Sequence, residues 1–143
     1  MLDDPVRKVM RRQKFLTASP GIFVIKAAQR MAARNVGAVC VVEGDHLAGI
    51  FTERDVVFRV VARGLDARST RLADVMTRDP KTVHPDKPFG YALVVMHEGG
   101  FRHVPVVEDG KPVGIVSARS ALDPDLEEFA SETNRRKHFG KMR

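Results

Sequence analysis

The chain has almost no cysteine and no long apolar run, and both absences exclude classes of protein. Its single cysteine, Cys40, rules out an internal disulfide and fits a reducing cytoplasm. No apolar stretch approaches the ~20 residues that a membrane-spanning helix needs, and the opening segment MLDDPVRKVMRRQK lacks the apolar core of a secretory signal. We therefore expect a cytoplasmic protein without a membrane segment, in which Cys40, set within AVCVV, is a small buried core residue.

The sequence also lacks the motifs of common nucleotide-using and metal-using enzymes. It contains no G-x-x-x-x-G-K-[ST] loop and no G-x-G-x-x-G, so neither a P-loop nor a Rossmann site is expected. Its histidines form no i, i+4 pair and have no cysteine beside them, which argues against a metal site. We predict that the protein is not an enzyme and has no catalytic cofactor. The histidines are His46, His84, His97, His103 and His138.

No acidic residue follows Asn134, and the positive charge of the chain is concentrated at its two ends. The net charge is +6, but ten of the 24 basic residues and only two of the 18 acidic ones lie before Phe15 or after Asn134. Residues 15–134 therefore carry 14 bases against 16 acids, a net charge of −2. Solvated ends explain this pattern, and a basic arm for nucleic acid is the alternative. Residues 124–143, with acids first and bases last, predict a C-terminal helix and a basic tail rather than a catalytic carboxylate pair.

What the chain does contain is an internal repeat with a constant offset. Thr17 and Thr82 are 65 positions apart, and the same offset pairs the two VVE segments, 41–43 with 106–108. It also pairs Gly49-Ile50 with Gly114-Ile115, while VRKVM (6–10) and LADVM (72–76) match at an offset of 66. A register held over forty positions indicates a tandem duplication.

Each copy predicts the same order of elements. A one-faced apolar helix, with Val24, Ala27 and Met31 in the first copy, follows a short strand and precedes two β-rich runs joined by a Gly/Asp turn. Thr52 and Ser117 then stand where the N-cap hydroxyl of a closing helix would lie. We predict an α+β protein of two βαββα repeats, 5–64 and 72–123, joined by a linker over 65–71. Each copy alone buries little apolar surface, so the two should pack sheet to sheet.

The duplicated VM…T…P opening, the GAVCVVEGDHLAGIFTERDVV segment and the FRHVPVVEDGKPVGIVSARSAL segment resemble the cystathionine-β-synthase (CBS) domain pair, or Bateman module. The resemblance covers roughly residues 5–122. It implies a pseudo-two-fold sandwich of the two repeats, a disc-shaped homodimer of two such chains, and a cleft with two sites for adenosine-containing ligands. Those ligands are AMP, ADP, ATP, S-adenosylmethionine and NAD.

The resemblance assigns roles within the motif Gly, apolar, x, Ser/Thr, x, x, Asp. Thr52 would contact phosphate at a helix start, where free N–H groups favour an anion, and Asp55, one turn later, would accept the two ribose hydroxyls. A capped helix with an acid in its first turn is the plainer alternative. The second copy has Ser117 and Ser120 at these positions, so its site should be weaker, empty or suited to another ligand, and Ser117 can equally be a cap alone.

The same resemblance adds further candidate residues. Arg102 and His103 would reach phosphate from the opposite repeat, with a surface ion pair and a core histidine as the respective alternatives. Arg54 and Arg119, beside the motif hydroxyls, would touch phosphate or face solvent. The adenine-contacting candidates, which could equally be sheet core, are Thr17, Ala18, Val36 and Ala38 in one copy and Thr82, Val83 and Pro85 in the other.

We therefore expect a stand-alone regulatory sensor that binds an adenosine nucleotide or dinucleotide and acts through a homodimer or a partner protein. The alternatives are a nucleic-acid-associated protein that uses the basic ends and a dimeric scaffold that binds no ligand. Nucleic acid and membrane are not expected partners.

Overall fold

The computed structural model describes residues 1–122 and 129–133, so most of the predicted C-terminal helix and basic tail lies outside the described residues. None of the helices in these two ranges is long and apolar enough to span a bilayer. In chain order, the elements are α1 (Val6–Met10), β1 (Thr17–Ala18), α2 (Val24–Arg34), β2 (Ala38–Glu43), β3 (His46–Thr52), α3 (Glu53–Asp55) running into a π-helix (Val56–Val61), α4 (Leu72–Val75), β4 (Thr77–Arg78), α5 (Phe89–Gly99), β5 (His103–Glu108), β6 (Lys111–Ser117) and a 3-10 helix (Ala118–Ala121).

The two copies fold into hairpins with the same register. Strands β2 and β3 pair antiparallel from Ala38↔Thr52, and β5 and β6 pair from His103↔Ser117, 65 residues later in both strands. Each hairpin has an irregularity at the same place, after Val41 and after Val106. The parallel contact of the short first strand is also repeated, as Ala18↔Val41 in β1–β2 and as a single bridge, Val83↔Val106. The duplication is thus confirmed at the level of backbone pairing.

The helix that opens each copy packs against the other copy. Val6 and Val9 of α1 are buried in a core with Phe89 and Met96 of the second copy. In the same way, Leu72, Val75 and Met76 join the core formed around Val24, Met31 and Phe51 of the first copy. Strand β4 extends this exchange, because it pairs with β3 and completes a sheet of order β1-β2-β3-β4. The two copies therefore contact each other at several separate surfaces, which include the two exchanged helices and strand β4.

A third core lies between the two sheets and confirms the predicted sheet-to-sheet packing. It is formed by Ala38, Cys40, Ile50 and Ile115, with Phe15 among the partly buried residues around it. Cys40 is fully buried, and burial raises the pKa of its thiol to about 12, so the side chain is an apolar packing group.

The copies differ most at their closing helices. After Thr52 the chain forms α3 and then six residues of π-helix, whereas after Ser117 the described residues form a four-residue 3-10 helix. The longer helices α2 and α5 both end in a left-handed residue, Asn35 and Gly100 respectively, which stops each helix at the same repeat position.

Candidate functional site

Two clefts open on the sandwich, and they are related by the internal repeat. The first, here called the Thr52 cleft, has a volume of about 1010 Å³, and the second, the Ser117 cleft, has a volume of about 970 Å³. Both volumes lie at the upper end of the range for small-molecule sites. The two clefts adjoin, because Glu53, Val57, Arg102 and His103 contribute to both.

Each cleft is built from the motif of one copy and the helix–strand junction of the other. Thr52 and Arg54 of the first copy face Arg102 and His103, which lie between α5 and β5 of the second. In the Ser117 cleft the arrangement is reversed, since Ser117 and Arg119 face the junction between α2 and β2, where Val36, Gly37 and Ala38 lie. Candidate residues that are far apart in sequence are therefore brought together in pairs across the copies.

The start of α3 is fixed by a reciprocal set of hydrogen bonds. The Thr52 backbone N–H and its hydroxyl donate to Asp55 Oδ2 at 2.9 and 3.2 Å, and the Asp55 N–H donates to Thr52 Oγ1 at 3.3 Å. Asp55 Oδ1 lies 3.4 Å from Arg59 Nε. Asp55 is only 8% exposed and does not line either cleft, whereas Thr52 lines the cleft named after it. The carboxylate therefore supports Thr52 from behind.

The matching helix start in the second copy uses neutral groups. The Ser117 N–H donates to Ser120 Oγ at 3.3 Å, and the two hydroxyl oxygens are also 3.3 Å apart. Both serines are buried, at 7% and 3% exposure. The polar contacts of the cap are thus retained without the buried negative charge, and without an ion pair of the Asp55–Arg59 kind among the described residues.

Positive charge converges on the Thr52 cleft from both copies. Arg102 is exposed, and its side chain has no hydrogen bond or ion pair to any described residue. The Arg54 guanidinium donates to the Gly100 carbonyl at 3.3 Å and lies 5.2 Å from the Phe58 ring centroid. Burial lowers the pKa of His103; the charge of Glu53 opposes that shift, and the charge of Arg102 adds to it. His103 is therefore neutral at pH 7 and available to take up a proton when an anion binds.

The adenine-contacting candidates are divided by the structure. Val36 and Ala38 line the Ser117 cleft, and not the cleft that holds Thr52. Ala18 and Val83 are buried at the parallel pairing positions of β1 and its counterpart. Thr17 and Thr82 are exposed and Pro85 is buried. Neither cleft is lined by Thr17, Ala18, Thr82, Val83 or Pro85.

Several cleft residues are not found by motif reasoning. The Thr52 cleft has an apolar wall that includes Phe58, Pro80, Met96 and Phe101, with Lys81 at the same segment as Pro80. Residues 77–81 reach the cleft because β4 pairs with Gly49 and Ile50 of β3. The repeated VM segment was the available sequence signal for these residues. It shows that the chain after Met76, which leads into β4, is equivalent to the chain after Met10, which leads to Phe15.

A metal ion has no evident place in this site. Within residues 1–122 and 129–133, no three His, Cys, Asp or Glu side chains cluster closely enough to hold one. The polar groups that line the clefts include hydroxyls and cationic side chains, the groups that bind phosphate.

Comparison with known proteins points to one family. The sequence model of the CBS domain matches twice, over residues 6–62 and 72–125. CBS domain-containing protein CBSCBSPB2 of Arabidopsis thaliana is 40% identical over 116 residues, which are 80% of this chain and 22% of that protein. The chain spans 19–22% of the length of the five Arabidopsis relatives of this type.

Solved structures agree with this match. The CBS-domain containing protein ATU1752 of Agrobacterium tumefaciens is 30% identical with a TM-score of 0.76, and the match covers 85% of this chain and 93% of that one. The CBS domain pair of protein MJ0100, in complex with 5′-methylthioadenosine and S-adenosyl-L-methionine, is 25% identical with a TM-score of 0.75, over 84% of this chain and 98% of that one.

Proposed function

This chain belongs to the CBS domain family, and from that premise we propose that it is a regulatory module that binds an adenosine-containing ligand in the Thr52 cleft. The observation that carries the proposal is the meeting of the two copies there. A helix start capped by the Thr52 hydroxyl lies opposite an arginine without an ion-pair partner among the described residues and a half-buried histidine. CBS domain pairs are generally regulatory modules rather than enzymes, and we assign this chain the same role.

Phosphate is the group best suited to the polar side of this cleft. Thr52 offers a hydroxyl at the first turn of a helix, where the helix dipole favours negative charge. Arg102 provides a planar guanidinium that can hold two phosphate oxygens at once. His103, neutral in the free protein, becomes a second donor once it is protonated beside the anion.

Asp55 lies behind Thr52 and does not line the cleft in the free protein, so a ribose would reach it only by an exchange of hydrogen bonds at the helix cap. Each carboxylate oxygen accepts about two hydrogen bonds, and those of Asp55 Oδ2 both come from Thr52. Oδ1, which among the described residues pairs only with Arg59, retains capacity for one ribose hydroxyl. If the second ribose hydroxyl replaces the Thr52 hydroxyl on Oδ2, that Thr52 hydroxyl is released toward the phosphate. Binding of ribose and phosphate would then be linked through one side chain.

The purine has an apolar place beside these groups. Pro80, Met96 and Phe101 form one wall of the Thr52 cleft, and Ile50 of β3 also lines it. Stacking and apolar contact there, with hydrogen bonds from the backbone of 77–81, would orient the ring. Thr82, which follows this segment, remains a candidate at its margin.

Among the ligands that the family suggests, this site should favour those that carry a phosphate group. AMP, ADP, ATP and NAD carry the anion that Arg102 and Thr52 would hold. S-adenosylmethionine has no phosphate, but the MJ0100 pair, which binds it, shares the fold and 25% of the residues. We therefore propose a nucleotide as the primary ligand, with AMP, ATP and NAD as the forms to test first.

Regulation would pass through a homodimer or a partner protein. The π-helix that continues the motif exposes Val57, Phe58 and Val61 to 54%, 59% and 67%, directly beside the cleft wall that Val57 and Phe58 form. An apolar surface that adjoins a ligand site is suited to carry a ligand-dependent change to a second chain.

Isothermal titration calorimetry with AMP, ATP, NADH and S-adenosylmethionine tests the proposal. We expect saturable binding of at least one of these ligands, weakened at least tenfold by Asp55→Ala, because the variant removes the ribose acceptor and loosens Thr52. Ser120→Ala is the matched control in the other copy and should leave this affinity unchanged. Unaltered affinity in Asp55→Ala, with thermal unfolding showing a folded protein, would refute the ribose assignment. Binding only to DNA or RNA, lost on removal of residues 135–143, would replace the sensor function altogether.

A further inference from the structure

The Ser117 cleft differs from the Thr52 cleft in charge more than in shape. It is lined by four basic side chains, Arg12, Lys14, Arg102 and Arg119, and by one acid, Glu53, for a formal charge of +3. The Thr52 cleft has three basic side chains, Arg54, Lys81 and Arg102, and two acids, Glu53 and Asp79, for a charge of +1. The clefts have nearly equal volumes, so the Ser117 cleft concentrates more positive charge in the same space.

Most of this charge has no ion-pair partner among the residues that the structure describes. Within residues 1–122 and 129–133, Arg12, Arg102 and Arg119 make no ion pair or side-chain hydrogen bond, although other arginines such as Arg7 and Arg59 do. Lys14 donates to the Arg34 carbonyl at 2.8 Å, which fixes its ammonium at the end of α2. The three guanidiniums come from three separate segments of the chain, so their convergence is a property of the fold and not of a local basic run.

The second copy also lacks the group that would hold a ribose. Ser120 stands in the place of Asp55 and is engaged with Ser117, so no carboxylate is available at this helix start. Among the described residues, Glu53 is the one acid that lines the cleft, and it also lines the Thr52 cleft. A nucleoside gains little here, whereas several linked anionic groups meet several cations.

We propose that the Ser117 cleft binds a linear polyphosphate group, that is, two or more linked phosphates, through Arg12, Arg102 and Arg119. Each guanidinium can hold phosphate oxygens in pairs, and the Ser117 helix start adds hydroxyl donors. A chain of linked phosphates offers a separate anionic centre to each of these cations, whereas orthophosphate offers one centre to all three. The group can belong to inorganic polyphosphate or to the phosphate tail of a nucleotide, and the two sources are separated by experiment.

Calorimetric titration of the 143-residue chain with sodium tripolyphosphate, pyrophosphate and orthophosphate tests this site. We expect saturable binding with affinity increasing along the series from orthophosphate to tripolyphosphate. Arg119→Gln and Arg12→Gln should each weaken tripolyphosphate binding at least tenfold, since each removes a charge-assisted contact. Arg30→Gln, an exposed residue of α2 that lines neither cleft, is the matched control and should have no effect.

Two comparisons decide the outcome and the source. If Arg30→Gln weakens binding as much as Arg119→Gln, or if sulfate at equal ionic strength gives the same heat, attraction to net charge explains the binding and the site is overturned. ATP binding tighter than tripolyphosphate in the Asp55→Ala variant would assign the group to a nucleotide, and equal or weaker binding would assign it to the free anion. Thermal unfolding of each variant confirms its fold, and the two arginines lie on different segments, so one misfolded variant leaves the other informative.

The test also separates this proposal from the preceding one. Loss of adenosine-ligand binding in Asp55→Ala, with tripolyphosphate binding intact, would support both sites. A protein that binds tripolyphosphate but no adenosine ligand would keep the Ser117 site and remove the proposed sensor function. The absence of saturable tripolyphosphate binding in the wild-type protein would remove the Ser117 site alone.

Discussion

The two helix starts, at Thr52 and at Ser117, share one frame and differ in one buried charge. In both, the backbone N–H of the capping residue donates to the side chain three positions later, at 2.9 Å in the first copy and 3.3 Å in the second. Asp55 performs this function with a carboxylate and Ser120 with a hydroxyl. These shared cap hydrogen bonds are therefore a structural requirement of the repeat, because they satisfy donors that the helix leaves unpaired. The negative charge of Asp55 is not needed for them.

The buried charge of the first copy has its own partner, and the second copy has lost both members of the pair. Asp55 pairs with Arg59 four residues later in the π-helix. At the repeat offset of 65, the position of Arg59 corresponds to Pro124, which cannot form an ion pair. A carboxylate buried without a partner is costly, so the loss of the arginine and the loss of the aspartate belong together. At this helix start the two copies therefore differ by a charge pair and not by a single residue.

The largest contrast between the copies is expected at the glycines of β3 and β6. A Cβ atom at Gly49 would lie 2.6 Å from the backbone carbonyl oxygen of Thr77, which is fixed in β4 and cannot move away. The three atoms nearest to a Cβ atom at Gly114 all belong to the flexible side chain of Met10, with its sulfur at 2.8 Å. We expect Gly49→Ala to lower the free energy of unfolding by about 3 kcal/mol and Gly114→Ala by about 1 kcal/mol. Urea unfolding followed by circular dichroism measures both, and equal losses would show that the two close contacts are equivalent.

The sequence predicted the repeated elements well because their signals are local. The turn residues, the caps at Thr52 and Ser117 and the apolar face of α2 each depend on a few neighbouring positions. The exchange of α1 and α4 between the copies was not predicted, because VRKVM and LADVM present similar apolar faces and the two cores offer similar surfaces. Without a structure, nothing in either segment indicates which copy it packs against.

The candidate site was predictable to a similar extent and for the same reason. The motif residues Thr52 and Asp55 and the facing Arg102 were found from repeat and resemblance, and the structure places Thr52 and Arg102 in one cleft. The wall that Pro80 and Phe101 form was missed, because it depends on the pairing of β4 with β3 across the copies. The basic lining of the Ser117 cleft was missed as well, since Arg12 lay within what the charge pattern presented as a solvated end.

The comparison of the helix starts can be sharpened by making them alike. Ser120→Asp places a carboxylate where the second copy has a hydroxyl. The variant should therefore bind nucleosides in the Ser117 cleft about fivefold more tightly than the wild-type protein does. It should also weaken tripolyphosphate binding, because the new charge opposes the anion. Titrations with adenosine and with tripolyphosphate measure the two effects, and Ser120→Asn, with the same shape and no charge, is the control.

The variant should carry a cost that Asp55 does not. Ser120 is 3% exposed, and no arginine occupies the position equivalent to Arg59, so the new carboxylate would be buried without a partner. We expect a lower thermal midpoint for Ser120→Asp than for Ser120→Asn. A flat adenosine titration with a folded protein would count against the symmetry between the two helix starts.

The smallest effect concerns His103, which lines both clefts and should make phosphate binding depend on pH. Burial lowers the pKa of His103 below its usual 6.5 in the free protein, and a bound phosphate raises it, so binding takes up a proton. Affinity for AMP should therefore increase as the pH falls from 7.5 toward 6, by about threefold. The stability of the free protein should change in the opposite direction. A lowered pKa in the folded state contributes stability that is present above 6.5 and is lost as the pH falls.

His103→Asn separates this effect from the titration of the phosphate itself, because both proteins bind the same ligand and only the imidazole differs. The ratio of wild-type to variant affinity for AMP should rise as the pH falls, while the same ratio for S-adenosylmethionine, which has no phosphate, should decrease or stay constant. A constant ratio for AMP between pH 7.5 and 6 would place His103 in the wall of the clefts as a packing residue. Arg102 would then be the contact that the second copy supplies to phosphate, and the asymmetry between the clefts would depend on the arginines alone.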